Sequence, residues 1–165
     1  MCRSGRDGVC AGERKRRMSN KIFDNICNKL KTLFQNKNIF ICTKLTDYFM
    51  WIGCPEHEIA VQPVHYELRL GKNATNEDKI FVEVHFESES SQSTPIKQLC
   101  DSVLNLGLIS VTTNEPNKAY FWYRNPDAEF DVDDSDENVK AIFKELEDLD
   151  KLVGPKIRKV IENKI

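Results

Sequence analysis

Two stretches in which apolar residues recur at every second position constrain this chain more than any other feature. They are VHYELRL, starting at Val64, and IFVEVHFE, starting at Ile80, and in both every even-numbered residue is apolar. A period of two is typical of a β-strand that buries one face. The connector GKNATNED between them is short and polar. The pattern therefore predicts an antiparallel hairpin with one core face and one polar face.

The polar face of this hairpin carries the main chemical signal, because it places His65 and Glu67 beside Glu83 and His85. In one register Glu67 faces Glu83 and His65 faces His85. In the register shifted by two residues, Glu67 faces His85 and Arg69 faces Glu83. Opposite charges directly across a strand pair contribute roughly 0.2–1 kcal/mol, so charge pairing favours the second register.

Three interpretations of these four polar residues are open. The favoured one is a solvated sheet face, since an antiparallel sheet with one exposed side must carry polar residues there. The second is a metal site formed by His65, Glu67, Glu83 and His85, because neighbouring strands lie less than about 5 Å apart. The third is general acid–base chemistry without a metal.

The remaining elements predict an α+β fold with an antiparallel sheet of about five strands and helices covering one face. The expected order is helix, three strands, helix, two strands, two helices. Apolar periodicity predicts a helix over residues 22–34, a first strand or hairpin over 39–52, a helix over 94–106 and a hairpin over 108–124. Asp134 and Glu137 have the spacing of a helix-capping box, and Gly154 with Pro155 is expected to divide the last helical segment.

Charge and composition divide the chain into a basic tail, residues 1–17, and a single α+β domain, residues 18–165. The tail has few apolar residues and a basic cluster, Arg14 to Arg17, so we expect it to be disordered. The six cysteines are scattered without metal-binding spacing, and no apolar run is long enough for a signal peptide or a membrane span. These features predict a cytoplasmic protein with no membrane partner.

The helix–strand order and the two alternating stretches resemble the core of PD-(D/E)XK nucleases. The resemblance implies that Glu67 and Glu83 are the two metal-binding acids, with Mg²⁺ or Mn²⁺ as cofactor. His85 stands where that family has its catalytic lysine. Under this alternative, Glu67, Glu83 and His85 would be the catalytic residues. The missing lysine implies a degenerate member, because it removes the fixed positive charge beside the scissile phosphate.

The element order is also similar to that of class I type III secretion chaperones, small acidic dimers that hold an extended segment of a secreted protein. The aromatic run Tyr120, Phe121, Trp122, Tyr123 is a candidate partner surface, because alternation can bury only two of the four rings. We therefore expect a non-catalytic partner-binding or accessory module that needs no cofactor. A protein partner is favoured, while nucleic acid binding and a homodimer remain open, and a metal-dependent nuclease is the alternative.

Overall fold

The computed structural model describes residues 11–54, 64–86, 98–99, 102, 105–112 and 121–162. In chain order the elements are α1 (Ala11–Lys37), β1 (Ile41–Leu45), β2 (Phe49–Gly53), β3 (Val64–Lys72), β4 (Asp78–Phe86), β5 (Ile109–Thr112), β6 (Phe121–Arg124), β7 (Glu129–Asp131) and α2 (Asp136–Glu162). Within the segment predicted as the middle helix, residues 98, 99 and 102 are helical.

The strands form one sheet in the order β1-β2-β3-β4-β6-β5, and the short β7 pairs with β4 beside β6. All described strand pairs are antiparallel. The prediction of an α+β fold with an antiparallel sheet is therefore confirmed. The described residues form seven strands where about five were expected, because residues 41–53 form a hairpin and residues 129–131 add a further strand.

The register of the β3–β4 hairpin differs from the one predicted. Glu67 pairs with Glu83 and His65 pairs with His85, so charged and polar residues of the same type face each other. The loop sets this register: the Asn73 side chain accepts hydrogen bonds from the backbone N–H groups of Thr75 and Glu77, both at 3.0 Å. This closes a loop of residues 73–77 between a pair formed by residues 72 and 78. Loop geometry therefore outweighed direct charge pairing.

The even-numbered side of the sheet forms the core with both helices, as the alternation predicted. Each helix contributes one apolar stripe, and rings from both sides meet where Phe40 packs against Tyr66 and Phe143. The largest fully buried side chains in the described residues are Phe23, Phe40, Phe81, Phe86, Ile26, Leu30, Met50, Ile52, Leu68, Ile80 and Ile142. Of these, Phe81 lies on the opposite, odd-numbered side and is not part of the main cluster.

Helix α1 begins at Ala11, so residues 11–17, expected to belong to a disordered tail, form its first two turns. These residues are exposed, and Glu13 and Arg17 form an ion pair at 3.0 Å. These turns extend a helix that already exists, so they avoid the cost of nucleation, and an ion pair between Glu and Arg four residues apart stabilises them further. The expected boundary at residue 17 thus falls inside a helix.

Helix α2 differs from the sequence prediction in two ways: in the residue that caps its N-terminus and in its continuation through Gly154 and Pro155. Its N-cap is Ser135, whose side-chain oxygen accepts a hydrogen bond from the Asn138 N–H at 3.3 Å, rather than Asp134. The helix continues through Pro155 to Glu162 as one element instead of two. Val153 and Ile157, on either side of the proline, are both buried, so core packing holds the helix together across the missing hydrogen bond. None of the helices in the described part of the chain is long and apolar enough to cross a bilayer.

Candidate functional sites

The four polar residues of the hairpin lie on the sheet face opposite the helices, and all four are buried. His65, Glu67, Glu83 and His85 are 3%, 4%, 0% and 4% exposed. The favoured interpretation of a solvated polar face is therefore wrong. Alternation correctly identified the face, but a period of two does not reveal whether anything covers the polar side.

Three of these residues converge on one point. Nε2 of His65 and Nδ1 of His85 are 3.0 Å apart, and Oε2 of Glu67 lies 3.2 Å from Nδ1 of His85 and 3.8 Å from Nε2 of His65. The direct pairing of the two histidines across β3 and β4 brings their rings together. Glu67 reaches His85 diagonally. We call this group the His–Glu cluster.

Two tryptophans flank the His–Glu cluster. The Trp51 ring lies 4.2 Å from the His65 ring, centroid to centroid, and the Trp122 ring stacks on the His85 ring at 4.4 Å with an interplanar angle of 9°. Trp51 comes from β2 and Trp122 from β6, where it pairs directly with His85. The rings form a nearly continuous aromatic layer over this part of the sheet.

Burial favours the neutral form of the Glu67 carboxyl, but the neighbouring imidazoles of His65 and His85 outweigh this effect and lower the pKa of Glu67 to about 2. Glu67 is therefore a carboxylate at neutral pH. Its negative charge is held beside two ring nitrogens, which is an arrangement that attracts either a proton or a metal cation.

Glu83 does not join the His–Glu cluster, although the metal and nuclease interpretations both included it. Arg69 donates two hydrogen bonds to its carboxylate, at 3.1 Å and 3.0 Å, and Arg124 lies 3.7 Å away. Both guanidinium groups also lie over the Phe81 ring, at 5.1 Å and 4.2 Å from its centroid. Burial lowers the pKa of Arg69, but the Glu83 carboxylate more than offsets this and raises it. Both oxygens of Glu83 thus face cationic groups.

These contacts determine what each predicted residue can do. His65, Glu67 and His85 can hold one metal ion together. Glu83 is already neutralised by Arg69, so the Glu67 and Glu83 pair does not fit the Mg²⁺ or Mn²⁺ site that the nuclease resemblance implies. His85 faces His65 and Glu67 rather than acting as a fixed cation beside Glu83.

The predicted aromatic partner surface is only partly described. Tyr123 is 3% exposed and packs edge-on against Phe86 in the core. Trp122 is half-buried on the opposite face, against His85. Tyr120 and the side chain of Phe121 lie outside the described residues. The two described rings therefore point to opposite faces of the sheet, as alternation required.

Sequence reasoning did not anticipate a cleft between the first turns of α1 and the loops of the sheet. We call it the basic cleft. It has a volume of about 560 Å³. Its lining residues are Gly12, Lys15, Arg16, Asn20, Asp47, Tyr48, Leu70, Gly71, Lys72, Asn76 and Asp78. The one sequence signal for it is the basic cluster at residues 14–17, in the segment that the sequence predicts to be a disordered tail.

The charges of the basic cleft are unevenly paired. Asp78 accepts a hydrogen bond from the Ser19 hydroxyl at 2.7 Å. In the described part of the chain, Lys15, Arg16 and Lys72 take part in none of the ion pairs, which involve other cations. Tyr48 adds an aromatic ring that is 56% exposed. The cleft therefore offers three cations that make no ion pair with another described residue, beside an accessible ring.

Comparisons of the chain with protein-family models, curated proteins and solved structures found no match.

Proposed function

We propose that this protein is a non-catalytic accessory module that binds an acidic, extended segment of a partner protein in the basic cleft. The observation that carries the proposal is the set of three cations, Lys15, Arg16 and Lys72, that line one cleft and make no ion pair among the described residues. Complementary charge speeds association and selects partners. An acidic segment supplies the missing anions.

The other lining groups favour a peptide over a nucleic acid. Asp47 and Asp78 also line the cleft, and they would repel the continuous row of charges on a phosphate backbone. A peptide can place its carboxylates at intervals and avoid these two positions. Tyr48 and Leu70 offer apolar contacts for side chains between the acids, and Asn20 can hydrogen-bond a peptide backbone.

The contact between Arg69 and Glu83 supports a non-catalytic role. Metal-dependent phosphoryl transfer of the nuclease type needs two carboxylates free to hold the ion, and a positive charge near the phosphate. Arg69 occupies both oxygens of Glu83. The nuclease remains the second candidate because Glu67, His85 and Glu83 stand at the matching positions of the two strands.

The test is binding of a fluorescently labelled poly-glutamate peptide, followed by anisotropy at low salt. We expect binding that weakens as salt rises, because exposed charges are screened. Arg16→Glu should raise the Kd at least tenfold, which corresponds to about 1.4 kcal/mol. Lys21→Glu is the matched control, since Lys21 is an exposed cation on the same helix that does not line the cleft.

Three outcomes would contradict the proposal. One is equal loss of affinity in Arg16→Glu and Lys21→Glu, which would indicate non-specific attraction. Another is tighter binding of a single-stranded DNA of matched length, which would indicate a nucleic acid site. The third is DNA cleavage in the presence of Mg²⁺ or Mn²⁺ that disappears in Glu83→Gln, which would establish the nuclease.

A further inference from the structure

The His–Glu cluster has the dimensions of a metal site. Its three candidate ligand atoms are separated by 3.0, 3.2 and 3.8 Å. In a tetrahedral zinc site with ligand distances of about 2.0–2.1 Å, neighbouring ligand atoms are about 3.3 Å apart. The observed separations bracket this value, so one ion can contact all three atoms after small side-chain adjustments.

The chemistry of the three atoms is equally specific. Once neither ring nitrogen carries a proton, two imidazole nitrogens and a carboxylate oxygen can each present a lone pair to a shared space, in residues that are at most 4% exposed. The Glu67 charge is buried, and a buried charge requires compensation. A divalent cation compensates the carboxylate and accepts both imidazole lone pairs at once.

We infer that His65, Glu67 and His85 bind one divalent transition metal ion, with Zn²⁺ as the best fit. This inference is independent of the proposed peptide-binding function, because the two sites share no residue. Two nitrogen ligands favour Zn²⁺, Co²⁺, Ni²⁺ or Cu²⁺, whereas Mg²⁺ and Ca²⁺ prefer all-oxygen sites. Glu83 is not a ligand, because its carboxylate is bound by Arg69.

The flanking tryptophans supply a direct readout. The chain has two tryptophans, and each packs against one of the two histidines of the cluster. Cu²⁺ or Co²⁺ bound between these rings should quench most of the tryptophan fluorescence, and EDTA should restore it. Zn²⁺, which does not quench in this way, should reduce the quenching by Co²⁺ when added first and in excess, whereas Cu²⁺, which binds such sites more tightly than Zn²⁺, should displace it. This titration uses the wild-type full chain and requires no variant.

Stability and stoichiometry provide a second measurement. After removal of metal with a chelator, Zn²⁺ should raise the Tm and Mg²⁺ should not. A ligand that binds only the folded state increases the free energy of unfolding by RT ln(1 + [L]/Kd). Elemental analysis after gel filtration should find one Zn²⁺ per chain.

Variants identify the ligands. Glu67→Gln should raise the Kd for Zn²⁺ at least about a hundredfold, since even residues that only orient a ligand contribute about tenfold to a hundredfold. Glu83→Gln is the matched control, because it makes the same change on the paired residue of the neighbouring strand. It should lower stability but retain one Zn²⁺ with unchanged affinity.

The inference is overturned if Cu²⁺ and Co²⁺ leave the fluorescence unchanged, if Zn²⁺ does not raise the Tm, or if the two variants lose affinity equally. Should Glu67→Gln fail to fold, the wild-type fluorescence titration and the Zn²⁺-dependent Tm still decide the question.

Discussion

At the scale of single residues, the groups that surround a side chain, rather than its residue type alone, determined the chemistry of this chain. Glu67 and Glu83 face each other on paired strands, yet one lies beside two imidazoles and the other beside two guanidinium groups. Cys27 shows the same principle in the core. Burial, with smaller contributions from Cys42 and Asp24, raises the pKa of the Cys27 thiol to about 12.

The raised pKa of Cys27 predicts a loss of stability at high pH. The folded-state pKa of about 12 lies above the ordinary value of 9.0, so the unfolded chain releases this proton first. The contribution of the Cys27 thiol to the free energy of unfolding is constant below pH 9. It declines as the pH rises toward 12, by at most about 1.4 kcal/mol per pH unit. Urea denaturation should show a steeper decline between about pH 9 and 11 in the wild type than in Cys27→Ala. Parallel declines would contradict the prediction.

At the scale of elements, the α2 segment around Gly154 and Pro155 remains helical because side chains from two elements meet there. Asp150 accepts a hydrogen bond from the Tyr66 hydroxyl at 2.7 Å and from Arg158 at 3.3 Å. A Cβ atom at position 154 would lie within 3.0 Å of both Asp150 and Arg158 side chains. A Cβ atom here would therefore push the ends of these two side chains aside, whereas glycine leaves them in place although it is a poor helix former.

This arrangement predicts that the effect of Gly154→Ala on the free energy of unfolding has opposite signs in the wild type and in a Tyr66→Phe background. Alanine should gain about 1 kcal/mol of helix propensity but displace Asp150, leaving the buried Tyr66 hydroxyl unpaired at a cost of about 1–3 kcal/mol. We expect net destabilisation in the wild type. In a Tyr66→Phe background the displacement costs little, so the same change should stabilise. A double-mutant cycle in urea measures this difference, and equal effects in both backgrounds would show that Tyr66 is not involved.

At the scale of the whole molecule, one sheet face is covered by α1 and α2, and the first turns of α1 extend beyond this core. Residues 11–17 are exposed, whereas the buried stripe of α1 starts at Ser19. Lys15 and Arg16 in that extension line the basic cleft. The extension therefore serves the proposed binding surface more than the stability of the domain.

Two deletions test whether residues 11–17 contribute to binding rather than to the stability of the core. Removing residues 1–17 should lower the free energy of unfolding by less than about 0.5 kcal/mol relative to removing residues 1–10, because exposed side chains contribute little. Poly-glutamate binding should be retained in the shorter deletion and lost in the longer one. A large difference in stability between the deletions, measured by urea denaturation, would show that residues 11–17 belong to the folded core.

The period of two in residues 64–70 and 80–87 by itself determined that β3 and β4 form an antiparallel hairpin, and which side chains share each face. It did so because alternation is a local property of an extended backbone. The same holds for the apolar stripe of α1, where Phe23, Ile26 and Leu30 recur at helical spacing. The α+β class followed from these local patterns.

Tertiary structure alone decided the burial of the polar face and the convergence of the His–Glu cluster. The register was set locally, by hydrogen bonds of the Asn73 side chain within its loop, and Arg69 reached Glu83 along a diagonal that direct pairing rules do not consider. Trp51 and Trp122 reach the histidines from β2 and β6, which the chain brings together only when the sheet forms. The burial and the convergence depend on contacts between residues distant in sequence, and a local pattern carries no information about such contacts.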